Sequence, residues 1–464
     1  MRERLTAPAL LLLLALLIPG ACARAEVETA DVLGEWVGEI QIMGQPLGFE
    51  VEFFETPQGL AGTMSIPTQG LRDGGLTEVS WDPPELGFTL PVPGAPARYE
   101  GTVEEGLISG EFNQSGYTGL FELRPYVAPV LDYPTEEVRI ETDHGPVLAG
   151  TLSLPEDDGP HPAVLLITGS GAQDRDEDIY GFKPFFLLAD HLTNQGYAVL
   201  RCDDRGFADS TGDISTATSA DLALDYAAQL RYLEERAEVD PERVYLLGHS
   251  EGSIIAGMLA AEYDVAGVIM FAGQAVPGDE LLLAQSAKTI LAEGGTAEDV
   301  AWNQDFQRRA YDKIRNDGDL EPLYDELDAV LREQYASFTP AEQAAFGDVD
   351  TFVETQLAQQ RTMLESPWTA YFIDYDPWTH LAAVDCPILA VFGELDVQVP
   401  PDLNIAALET GAAEHDLTVS IETIAGANHL FQTAESGGLS EYPLLEKDFA
   451  PGVLETITAW LDAQ

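Results

Sequence analysis

At 464 residues the chain exceeds what one hydrophobic core usually serves, so two globular parts plus an appendage are expected. Its 22 basic residues against 80 acidic ones give a formal charge of −58, spread along the chain rather than gathered in a tail, and such a surface repels nucleic acid. Beyond the first residues no apolar run is long enough to span a membrane, and no Cys-x-x-Cys or His-Glu-x-x-His spacing occurs, so neither a transmembrane span nor a metal cofactor is implied.

Arg2 and Arg4 precede the apolar run Ala7 to Ile18, and the small residues Gly20-Ala21-Cys22-Ala23-Arg24-Ala25 follow. This is the three-part layout of a secretory signal peptide over 1–25, with Ala-x-Ala cleavage sites ending at Ala23 or Ala25. Export, periplasmic or secreted, is expected. The rival is lipid anchoring through Cys22, which fits less well because Pro19 and Gly20 depart from the usual Leu-(Ala/Ser)-Gly-Cys pattern. Cleavage leaves Cys202 and Cys386, each beside an expected core strand, and both read as free thiols.

From Gly34 to Leu123, short alternating runs such as Phe49-Glu50-Val51-Glu52-Phe53-Phe54 are cut by glycine and proline. Period-two alternation between turns predicts a small antiparallel β domain over about 27–126. It holds no nucleophile with an obvious base, and binding, packing and spacing roles stay open.

After the linker Arg124-Pro125-Tyr126-Val127-Ala128-Pro129 the rhythm changes to short apolar strands alternating with helical stretches, which predicts an α/β domain over 135–464 with a mostly parallel sheet. Eight strands are expected: Glu137 to Glu141, Val147 to Leu154, Ala163 to Thr168, Ala198 to Cys202, Val244 to Leu247, Gly267 to Phe271, Ile388 to Phe392 and Thr418 to Ile424. Between them, charged, alanine-rich amphipathic segments at about 275–375 are too long for a plain connection and predict a helical cap over the sheet's active edge.

Gly248-His249-Ser250-Glu251-Gly252 lies between the apolar strand Val244 to Leu247 and a helix-like run from Ser253. Strand, tight turn and helix are the setting of a nucleophile elbow, in which flanking side chains would strike neighbouring backbone, so Ser250 is the candidate nucleophile. A serine hydroxyl needs a base, and the base needs a carboxylate to fix its tautomer. Asp396, in the loop after the strand Ile388 to Phe392, is the candidate acid, with Glu394 as a nearby substitute; His429, just past the last strand, is the candidate base. Backbone amides must also hold the oxyanion: that of Glu251, and one from Gly169-Ser170-Gly171-Ala172-Gln173, where Ser170 is favoured and Gly171 and Ala172 are alternatives.

Gly169-Ser170-Gly171-Ala172-Gln173-Asp174-Arg175-Asp176-Glu177, Asp203-Asp204-Arg205-Gly206, Gly248-His249-Ser250-Glu251-Gly252 and Gly426-Ala427-Asn428-His429-Leu430-Phe431 occur in that order. Together they resemble bacterial α/β-hydrolases of the serine aminopeptidase-like and carboxylesterase group, from about Glu137 to the C-terminus, and the preceding β domain resembles one attached to such esterases. The resemblance implies an α/β-hydrolase fold and the same three residues, Ser250, Asp396 and His429. Two positions depart from it: Thr168 stands where many relatives carry a histidine, and Ala208 replaces the second glycine of an Asp-x-Arg-Gly-x-Gly-x-Ser turn. Arg205 and its aspartates read as a turn anchor.

The expected chemistry is acyl transfer to Ser250 from a small-molecule ester, without a cofactor. An exported serine aminopeptidase or acyl-peptide hydrolase acting on a short acyl or peptide substrate is the alternative, and a noncatalytic binding protein on the same scaffold is a distant one.

Overall fold

The computed structural model describes residues 31–464 other than 43–44, 67–68, 70, 93–94, 115, 340–342 and 344–345. The expected signal peptide and Cys22 lie outside the described residues. The chain divides into two compact units, one built around Glu50–Met64 and Gly74–Tyr126, the other around Val127–Gln464.

Between Gly34 and Pro125 the described residues form a nine-stranded sheet. Its last five strands, β5 (Thr77–Asp82), β6 (Glu85–Leu90), β7 (Ala97–Glu104), β8 (Leu107–Gln114) and β9 (Tyr117–Pro125), pair antiparallel with their sequence neighbours. Alternation places Ala97, Tyr99 and Val103 inward and Arg98 and Glu100 outward. Tyr99 stacks on Phe88 with ring centroids 4.7 Å apart, and Phe53, Phe112 and Phe121 close around the pair.

The second unit is an eight-stranded mixed sheet covered by helices. Its strands are β10 (Thr135–Glu141), β11 (Val147–Ser153), β12 (His161–Ile167), β13 (Ala198–Cys202), β14 (Val239–His249), β15 (Gly267–Phe271), β16 (Ile388–Gly393) and β17 (Val419–Ile424). They lie in the order β10-β11-β13-β12-β14-β15-β16-β17. The first two ladders are antiparallel and the rest parallel, so β12, β14, β16 and β17 all end at one edge of the sheet. All of β13, β15 and β16 is buried, as expected for strands with helices on both faces.

Helices α1 (Pro184–Asn194), α2 (Ser219–Glu234) and α3 (Glu251–Ala260) serve the sheet; α3 is buried along its whole length, which its Ser-Ile-Ile-Ala-Gly-Met-Leu-Ala sequence permits. Between β15 and β16 the chain makes a helical excursion through Gly278–Ala292, Ala297–Arg315, Glu321–Ser337, Val349–Leu364 and Pro367–Phe372, with its own core around Phe306, Tyr311, Leu323, Tyr324, Phe352 and Val353. Thr296 and Asp348 cap two of these helices through their side chains. The two ends of the excursion meet: the Gly278 amide donates to the Tyr375 carbonyl at 3.0 Å, and a side chain at Gly278 would strike the Phe372 carbonyl. Cys202 is buried and Cys386 partly so, both as free thiols. No helix among the described residues is long and apolar enough to cross a membrane.

Candidate active site

The turn between β14 and α3 holds Ser250 at φ 53°, ψ −118°, a conformation that costs an L-residue on the order of 1–3 kcal/mol. Surroundings enforce it. A Cβ on Gly248 would collide with the Gly252 carbonyl, and one on Gly252 with the carbonyls of Ile167 and Thr168, so chain packs against chain on both sides of the serine. The Ser250 amide donates to Phe271 on β15 at 2.9 Å, and Ser253 donates to the Ser250 carbonyl through both its amide and its hydroxyl. Among the described residues the Ser250 hydroxyl itself makes no hydrogen bond.

Asp396 and His429 are brought together. The Asp396 Oδ2 lies 2.8 Å from the His429 Nδ1, while Oδ1 accepts the Gln398 and Val399 amides, each at 2.8 Å. The carboxylate side chain is wholly buried, and His429 is 4 % exposed. Glu394 points elsewhere: it is exposed and accepts the Gly426 amide at 2.8 Å, bracing the turn that leads to His429. Phe431, at φ 61°, stacks on Phe271 with centroids 3.7 Å apart and pins the far side of the same loop.

The loop after β12 passes over the serine, its Gly169 Cα so close that an added Cβ would sit 3.3 Å from the Ser250 Cβ. The Gly169 amide is spent on Glu177 Oε1 at 2.8 Å. Among the described residues the amides of Ser170 and Glu251 have no acceptor, and the latter stands at the positive end of α3. Ser170, Ser250, Glu251 and His429 line one cavity of roughly 240 Å³, walled further by Gln274 and, from the helical excursion, by Trp368 and Phe372. Gly171 and Ala172 are not among its walls.

Three sets of contacts around the site were not expected from the sequence. The Glu251 side chain, which a helix N-terminus usually exposes, is buried and accepts Ser219 Oγ at 2.5 Å and Trp368 Nε1 at 2.8 Å; burial raises its carboxyl above the ordinary range. Thr168 hydrogen-bonds Asp204 Oδ1 at 2.8 Å and Tyr226 at 2.7 Å, while Asp204 Oδ2 accepts the Gln173 amide, so the glycine-rich loop is tied at its root; burial pushes Asp204 up to about 8. His249 and Glu177 form a buried pair at 2.9 Å. Arg205 spends its guanidinium on Asp225 and the Asp221 carbonyl, as a turn anchor does.

Residues 164–437, more than half of the chain, match the model of the alpha/beta hydrolase family. The chain belongs to that family. Among similar proteins, Esterase EstD of Thermotoga maritima is 33% identical over 178 residues, 38% of this chain and 41% of that protein. Putative hydrolase YtaP of Bacillus subtilis is 32% identical over 120 residues, 22% of this chain and 40% of that protein. The chain thus spans about two fifths of the length of each of these relatives. Among solved structures, the Pyrococcus furiosus esterase Pf2001 is similar at 14% identity and a TM-score of 0.43, covering 73% of this chain and 96% of its own.

Proposed function

We propose that this α/β hydrolase is a serine hydrolase that cleaves carboxylic esters through an acyl-enzyme on Ser250. The observation that carries the reading is the buried Asp396–His429 hydrogen bond on the wall of the cavity that also exposes Ser250 in its strained turn. With Asp396 accepting at Nδ1, that nitrogen of His429 holds the hydrogen and Nε2 keeps its lone pair, which is the tautomer a general base requires. Ser250 Oγ attacks the ester carbonyl as its proton passes to His429 Nε2. The tetrahedral oxyanion is held by the Ser170 and Glu251 amides, whose freedom from other acceptors supports that role. Collapse expels the alcohol, which takes the proton from His429; water then repeats the cycle and releases the acid. The similarity to Esterase EstD supports esters over amides.

Fluorophosphonate labelling tests the mechanism: wild type is expected to label at one site and Ser250→Ala not at all, whereas an unlabelled wild type would favour a noncatalytic binding protein. Substrate class is tested by comparing short p-nitrophenyl acyl esters with aminoacyl and N-acyl-peptide anilides. Turnover of the anilides alone would replace the esterase with an exported peptidase.

A further inference from the structure

Resting on the reading of Ser250 and His429 as nucleophile and base, a second histidine gains a function. His249, 3% exposed, packs its ring 4.8 Å from that of His429, centroid to centroid. Its Nε2 lies 3.1 Å from the His429 carbonyl, an atom that can only accept, so Nε2 carries a hydrogen. Its Nδ1 lies 2.9 Å from Glu177 Oε1, the same oxygen that accepts the Gly169 amide. One proton therefore lies between His249 and Glu177, and the pair bonds all three working loops: the one carrying Ser170, the one carrying Ser250 and the one carrying His429.

We propose that His249 and Glu177 are positioning residues that form a buried imidazolium–carboxylate pair, and that the positive ring, 4.8 Å from that of His429, opposes a second positive charge beside it. The titratable groups facing His249 are Glu177 from the loop after β12, Asp396 from the loop after β16 and His429 from the loop after β17; Asp204 acts on Glu177 from the loop after β13. Burial works against a charged His249, but the field and hydrogen bond of Glu177, aided by the His429 carbonyl and Asp396, outweigh it and raise its proton affinity. At this distance a cation on one ring repels a second positive charge on the other.

The test is the pH dependence of kcat/KM on a p-nitrophenyl ester for wild type, Glu177→Gln and His249→Gln. Either substitution removes the positive ring, so the acid limb is expected to move up by about one pH unit while the alkaline plateau falls no more than about tenfold. Loss of rate at every pH with the limb unmoved would reduce the pair to a structural strut and overturn the proposal while leaving the serine mechanism standing. A wild type that fluorophosphonate does not label would overturn both. Should the variants not fold, proton NMR of wild-type protein carrying ¹⁵N-histidine decides: two ring N–H signals from His249, unchanged over roughly pH 5 to 8, are expected, and a single N–H would refute the ion pair.

Discussion

Replacing Asp396 by Asn tests the proposed mechanism at the atom where it is most constrained. Two backbone amides, the part-buried one of Gln398 and the buried one of Val399, point at one oxygen of the carboxylate. An asparagine must keep its only oxygen there, since turning its NH2 toward two N–H groups would leave three donors unpaired in a dry site. The amide nitrogen then replaces Oδ2, opposite His429 Nδ1. A donor in that position drives the hydrogen of His429 to Nε2, and the imidazole presents an N–H to Ser250 instead of a lone pair. The fold loses little, because every buried group keeps a partner. The reaction loses its base, and a tautomer error of this kind costs about 10⁴-fold in rate, equivalent to about 5.5 kcal/mol of transition-state stabilisation. The assay is kcat/KM on a short p-nitrophenyl ester beside a thermal melt of the same sample. A variant that melts like wild type yet keeps activity within about tenfold would refute the assignment of Asp396 and His429 as a working pair.

Other expectations concern the framework around the site. Gly252→Ala places a Cβ against the Ile167 and Thr168 carbonyls, the latter at 2.6 Å, so esterase activity should fall at least about 100-fold, since a displacement on the order of 1 Å at the reacting groups costs that much; near-wild-type turnover would show that the turn tolerates the shift. Ala208 is exposed at φ 44°, where its methyl group is strained, and Ala208→Gly should stabilise the fold by about 0.5–1 kcal/mol in a denaturant titration, the relief exceeding the added freedom of the unfolded chain; a lower midpoint would refute this. Asp204, pushed up to about 8, holds its proton in the folded chain over a range where the unfolded chain has released it. Its contribution to stability is thus fullest below the unfolded value near 4 and declines as pH rises towards 8, by at most about 1.4 kcal/mol per pH unit. Asp204→Asn should flatten that decline, and parallel stability curves for variant and wild type between those limits would disprove the shift.

Much of the sheet was legible because a strand covered on both faces writes itself as an unbroken apolar run. Ala198–Cys202 and Gly267–Phe271 coincide with the strands expected from sequence. β14 starts at Val239, five residues before the apolar run, because the polar Asp240-Pro241-Glu242-Arg243 stretch hides a pairing of Val239 with His161 across an irregular register. The elbow could be read from its glycines, since backbone crowding leaves a compositional mark. The sequence left Glu394 beside Asp396 as a substitute acid, since only loop geometry separates them; in the structure Glu394 accepts the Gly426 amide while Asp396 meets His429. The His249–Glu177 pair left no such mark: its members lie 72 positions apart, and a histidine flanking a serine reads the same whether its ring meets water, a carboxylate or a carbonyl. The buried Glu251 was hidden for a similar reason, because its partners Ser219 and Trp368 come from distant segments.

The Gly278–Tyr375 hydrogen bond, which joins the two ends of the helical excursion, makes that insertion a closed cassette. Adding residues inside it changes neither the spacing of its endpoints nor the alignment of the strands it interrupts, and even doubling its length would cost only about 0.6 kcal/mol in loop closure. Trp368 and Phe372 ride on the cassette, whereas Ser250, Asp396 and His429 hang from the sheet. One wall of the cavity can therefore vary with the cassette while Ser250, Asp396 and His429 keep their places, provided a replacement for Trp368 still bonds the buried Glu251 carboxyl.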